Sequence, residues 1–67
     1  MGVPEYRLFC IDQSGQVTSS FWIEARSDEE ALLNARMLRP TGFGGEIWHQ
    51  SSRLVARFTS DGALEMA

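Results

Sequence analysis

His49 and Cys10 are the two side chains best able to do chemistry at neutral pH, and each occurs once. An imidazole titrates near neutrality. A thiol becomes a nucleophile only when its pKa is depressed. Nucleophilic catalysis also needs a base beside the nucleophile and a third group to orient the base. No spacing in the chain sets such a partner next to either residue. Cys10 therefore reads as a small apolar residue. His49 alternates with Ile47 and reads as a structural residue on the helix side of a strand or at its rim. Gly42-Phe43-Gly44-Gly45 has the glycine content of a phosphate loop, but lacks the Lys-Ser/Thr ending and precedes a strand where a phosphate loop would precede a helix. It reads as a connection. Asp28, Glu29 and Glu30 could ligate a hard cation, yet directly after Ser27 they are what a helix start requires. The chain is therefore expected to be non-enzymatic, with no catalytic, cofactor-binding or metal-ligating residue and no cofactor.

The elements that would carry these residues are well punctuated. Glu5 to Asp12 is rich in aromatic and branched residues and reads as a strand. Asp12-Gln13-Ser14-Gly15 has Asp at the first position of a type I turn and Gly at the left-handed position after it. Gln16 to Glu24 reads as the returning strand of a hairpin with a Gly bulge. Ser27 followed three residues later by Glu30 forms a capping box, and the acidic first turn suits the positive end of a helix dipole. Pro40 biases Arg39 out of helical geometry, so the helix is predicted over 28–38. Glu46 to Gln50 and Arg53 to Phe58 read as two further strands turning at Ser51-Ser52. The predicted fold is α+β, ββαββ: a four-stranded, mainly antiparallel sheet with one helix on one face. Setting the third strand beside the first keeps the sheet antiparallel throughout. The expected organisation is a lead over 1–4, a single domain over 5–58 and a mobile tail over 59–67.

Composition bounds the partners. The 67 residues carry 6 basic and 9 acidic side chains, a formal net charge of −3. An acidic chain is poorly suited to non-specific nucleic-acid binding, which rests on cationic contacts to phosphate. A chain this short usually needs a disulfide, a metal or a second subunit to supplement its small core. One cysteine forms no internal disulfide, and one Cys with one distant His makes no structural zinc site. No window approaches the apolar length of a membrane span. Met1-Gly2-Val3-Pro4-Glu5 lacks the basic and apolar runs of a secretory signal. A cytoplasmic location is the expectation, and the single Cys10 fits a reducing compartment.

The hairpin turn suggests a register in which Ile11 faces Val17, Phe9 faces Ser19, Arg7 faces Phe21 and Glu5 faces Ile23. One face then carries Phe9, Ile11, Val17, Phe21 and Ile23. Those residues, with Ile47, Leu54, Ala56 and Phe58, are the expected core beneath a helix stripe of Ala31, Ala35 and Leu38, flanked by Leu32. Leu33 and Met37 point away from that stripe. The opposite face is expected to hold Tyr6, Leu8, Cys10, Trp22, Trp48 and Val55, edged by Arg53 and Arg57. One helix cannot cover both faces, and several exposed aromatics would exceed the apolar patch an ordinary monomer carries. The expected partner interface is Tyr6, Leu8, Trp22, Trp48, Arg53, Val55 and Arg57, a mixture typical of contact surfaces. The expected partner is a second copy of the chain, giving a homodimer, or another protein. The competing readings are coverage of that face by Leu64 and Met66 of the tail, and a stacking platform for single-stranded nucleic acid.

Tyr6-Arg7-Leu8-Phe9 with Asp12 and Gly15, then Asp28-Glu29-Glu30-Ala31-Leu32, then Glu46-Ile47-Trp48 and Val55-Ala56-Arg57 form a pattern over about residues 5 to 58. In it the chain resembles a group of short bacterial proteins built as hairpin, helix, hairpin, a resemblance that implies the ββαββ fold and no particular activity. A weaker likeness is to the HicB-type antitoxin fold, where a hairpin also leads to a helix rich in Glu-Ala-Leu. That likeness implies an antitoxin-like regulatory role, although the family has a further strand before its helix. No functional residue is carried over from either.

Overall fold

The computed structural model describes residues 4–50 and 52–66. The first three residues of the expected lead, Ser51 of the expected turn and Ala67 of the expected tail lie outside the described residues. The elements are β1 (Glu5–Ile11), β2 (Val17–Glu24), α1 (Asp28–Leu38), β3 (Gly44–His49), β4 (Arg53–Phe58) and β5 (Leu64–Met66). They form an α+β unit with one helix and one antiparallel sheet in the order β2-β1-β3-β4-β5. The third strand does lie beside the first. The sheet has five strands where four were expected, because residues 59–67 contain β5, which pairs with β4.

Local chemistry explains the elements that matched. Asp12 Oδ1 accepts from the Ser14 and Gln16 amides, and Gly15 takes φ +90°, which closes the first hairpin. Ser27 Oγ accepts from the Glu30 amide, as the capping box requires, and Arg39 caps the far end by donating its backbone N–H to Ala35. The α1 bounds are those the sequence predicts.

The faces did not match, and a bulge is the reason. Ile11 pairs with Val17 as expected, but the register then shifts, so Cys10 pairs with Ser19, Leu8 with Phe21, Arg7 with Trp22 and Glu5 with Glu24. Thr18 is the extra residue, its Oγ1 donating to the Cys10 carbonyl. One inserted residue exchanges the faces of every pair beyond it. Tyr6, Leu8 and Cys10 thus lie buried with Ile23 beneath the helix, while Phe9, Ile11 and Val17 leave the core. The physical preference has a plain cause. The register without a bulge would put Glu5 and Arg7 under α1 together with Phe9, and burying such charges unpaired is costly.

A second irregularity, between Ile47 and Trp48, sets Ile47 against Ala56 but Trp48 against Leu54. Leu54 therefore joins Trp48 on the face away from the helix, and Val55 becomes buried. The core consists of Tyr6, Leu8, Cys10, Ile23, Ala25, Ile47, Val55, Ala56 and Phe58 under Ala31 and Ala35, with Leu32, Phe43 and Leu64 packed around it. Leu38, expected in the helix stripe, is 41% exposed, and Phe21 is 36% exposed. The two helix alanines let α1 lie close to the sheet, so longer side chains at its flank stay outside. Burying a Leu8 or Ile47 side chain contributes about 1.5–3 kcal/mol, so a few such residues carry much of the stability.

Candidate functional sites on the sheet

The expected interface divides among three places. Tyr6, Leu8 and Val55 are core residues, each no more than 3% exposed. Arg53 pairs with His49 on the helix side and bridges to Asp28 at 3.2 Å. Trp22, Trp48 and Arg57 remain on the face without a helix, by strand alternation. The correction follows from the two register shifts. What occupies the positions vacated by Tyr6 and Leu8 is Arg7 and Phe9, with Leu54 in place of Val55.

Two cross-strand rows define that face. Trp22, Arg7, Trp48 and Leu54 are successive partners across β2, β1, β3 and β4. Ser20, Phe9, Glu46, Arg57 and Glu65 form the next row, which extends into β5. Arg7 links the rows: its guanidinium carbon lies 4.5 Å from the Trp22 ring centroid and 5.3 Å from that of Phe9. Such stacking is favourable because the ring faces are electron-rich. Arg7 also donates to Ser20 Oγ. Trp48 Nε1 donates to Glu46 Oε1 at 3.3 Å, and Arg57 Nε donates to Glu46 Oε2 at 3.1 Å. Arg7 and Glu46 thus partly cover the aromatics, and Trp22, 57% exposed, is the one left most open. Alternation also places Glu5 and Glu24, direct partners on β1 and β2, on this face.

The titratable residues gather on the helix side instead. The Tyr6 hydroxyl donates to Asp28 Oδ1 at 2.7 Å, and the Arg53 guanidinium donates to both Asp28 oxygens. Burial, and secondarily the bond to Asp28, hold the Tyr6 phenol above its ordinary pKa. The bonds from Tyr6 and Arg53 hold the Asp28 carboxyl below its ordinary value. His49 packs against Tyr6, ring centroids 4.9 Å apart and tilted by 55°, which agrees with its predicted place on the helix side. Cys10 is fully buried. Asp28 is thereby engaged by two strands as well as by its own helix. Sequence reasoning assigned it to capping alone, because the partner residues are 22 and 25 positions away. Gly44 and Gly45 belong to β3 rather than to a loop. Among the described residues no group of three or more His, Cys, Asp or Glu side chains could hold a metal ion. No helix among them is long and apolar enough to cross a membrane.

Comparison with known protein families, curated proteins and solved structures found no match for this chain.

Proposed function

We propose that this chain is a small, non-enzymatic protein-interaction module that works as a homodimer with Trp22 in the contact. The exposure of Trp22 is the observation that carries this reading. It is a large aromatic ring, 57% exposed, on the end strand where the helix-free face meets the edge of the sheet. Tryptophan is among the residues most enriched at the energetic centres of interfaces. The chain is also short enough for a second subunit to add usefully to its core. The engagement of Cys10, His49 and Asp28 in packing and internal bonds supports the non-enzymatic half of the reading.

The stacking-platform alternative draws on Trp22, Arg7 and Trp48. Its electrostatics are unfavourable. By alternation the same face presents Glu5, Glu24, Glu46 and Glu65 beside only Arg7 and Arg57. A phosphate backbone laid there would meet more carboxylates than guanidinium groups.

Sedimentation equilibrium over a wide concentration range tests the proposal. The expected result is a species of twice the 7.5 kDa chain mass that reverts to monomer in Trp22→Ser. A folded species at the chain mass up to the highest concentration overturns it. Binding to single-stranded oligonucleotides that weakens steeply with salt would favour the alternative.

A further inference from the structure

We propose that the free edge of β2 pairs antiparallel with β2 of a second copy, joining two sheets into one continuous ten-stranded sheet. This rests on the homodimer reading above and specifies its geometry. Among the described residues the strand lies at one end of the sheet order, with β1 on one side only. The Ala25 amide donates to the Pro4 carbonyl. By antiparallel alternation, Ile23 and Phe21 then turn their backbone groups toward β1, and Ser20, Trp22 and Glu24 turn theirs outward. A row of outward N–H and C=O groups is a template on which another extended strand can pair. The usual safeguards of an edge are lacking here: Thr18 to Ile23 has no Pro, Lys or inward-pointing charge, and the bulge sits at the start of the strand.

Three observations make that strand a second β2. The stretch from Gln13 to Ile23 contains no charged residue. Within a chain of net charge −3, it is where two copies approach with least repulsion. Most of the exposed apolar side chains also collect along this edge, Leu33 on the helix and Met66 on β5 being the exceptions. Phe21, Trp22, Met37 and Leu38 are all exposed. Met37 and Leu38 of the helix line a groove of about 300 Å³ against the Trp22–Glu24 stretch of β2. Finally, the strand is complementary to itself about a two-fold axis at Phe21. Trp22 then lies opposite Ser20 of the partner and Ile23 opposite its Ser19, each large side chain against a small one. Glu24 faces the partner's Thr18 rather than a second carboxylate, and the two Phe21 rings meet on the helix side. Shifting the axis to Ser20 sets Phe21 against a serine, and shifting it to Trp22 shortens the paired stretch. In the Phe21 arrangement both helices lie on one side, and both Arg7–Trp22–Trp48 rows form one surface on the other.

Hydrogen exchange on the native chain gives the direct test, read beside its sedimentation. The Ser20, Trp22 and Glu24 amides are expected to be protected at concentrations where the dimer forms and to lose protection on dilution. Ser20→Pro removes one outward N–H at an edge position that tolerates proline in the monomer, and is expected to run at the chain mass with its helix signal retained. Phe21→Cys reports register independently. Antiparallel neighbours in a non-hydrogen-bonded pair have Cα atoms about 4.5 Å apart, within disulfide reach, and Cys10 is buried, so oxidation is expected to give a covalent dimer. A dimer whose edge amides exchange freely, and which persists in Ser20→Pro, overturns edge pairing and leaves the homodimer reading in place. A dimer with protected edge amides in which Phe21→Cys stays uncrosslinked overturns the Phe21-centred register. A monomer at every concentration overturns both proposals.

Discussion

Asp28 accepts bonds from Tyr6 on β1 and Arg53 on β4 while standing in the first turn of α1. One carboxylate therefore ties the helix start to two strands, with the helix dipole in its favour. Because these bonds lower its pKa in the folded chain, its stabilising effect is present above the ordinary carboxylate range near pH 3.9. It is lost as pH falls through the lowered folded value. Asp12 and Asp61 are shifted in the same direction by their own turn bonds. Asp28→Asn is thus expected to reduce, without abolishing, the loss of stability between neutral and acid pH. Urea midpoints measured across that range check this, and parallel curves for the two proteins would refute it. Tyr6, with its pKa raised, works at the other end: its contribution is full below about pH 10 and is lost as pH rises through the raised value. Ser27→Ala removes the acceptor for the Glu30 amide and is expected to cost about 1 kcal/mol, read from the same urea curves.

At the scale of elements, two turns share one construction. Asp12 N–H donates to the Gln16 carbonyl and Gly15 N–H to the Asp12 carbonyl. Thr59 and Ala63, with Gly62, repeat both bonds. Gly15 and Gly62 take φ +90° and +92°. Thr59-Ser60-Asp61-Gly62 therefore carries the same hairpin signal as Asp12-Gln13-Ser14-Gly15. The strand after it, Leu64–Met66, is too short to show alternation in the sequence. The Gly44-Gly45 pair has an equally local reason. A Cβ at Gly45 would lie 2.9 Å from the Phe9 carbonyl oxygen and 3.3 Å from Leu8 Cδ1, so β3 sits close against β1 only because no side chain intervenes. Gly45→Ala is expected to destabilise by about 1–3 kcal/mol. A thermal midpoint within a degree of the native one would show that the strand spacing relaxes freely.

At the scale of the whole molecule, the described residues form a sheet of five strands with one helix, which leaves one face and one long edge without cover among them. If a second copy supplies that cover, mass action stabilises the folded chain as concentration rises. The thermal midpoint should then increase across a hundredfold concentration series, by roughly 4–8 °C for each kcal/mol gained. A midpoint that does not move across that series would count against association at this edge.

The sequence by itself determined the class of the fold, the hairpin turn and the helix from its cap to its proline stop, and it left the strand order open, with β3 beside β1 as the arrangement that keeps the sheet antiparallel. Each rests on contacts within a few residues or on the economy of an antiparallel sheet. It could also have determined the core face of β1. The alternation of Glu5 and Arg7 with Tyr6, Leu8 and Cys10 separates charged from apolar positions without reference to the turn. The tertiary structure alone decided where the two register shifts fall. A bulge depends on the summed burial of every side chain beyond it, and no single residue near Thr18 or Trp48 announces that sum. That is why Val55 turned inward as core and Trp22 parted from Tyr6 and Leu8, which follow the alternation of β1.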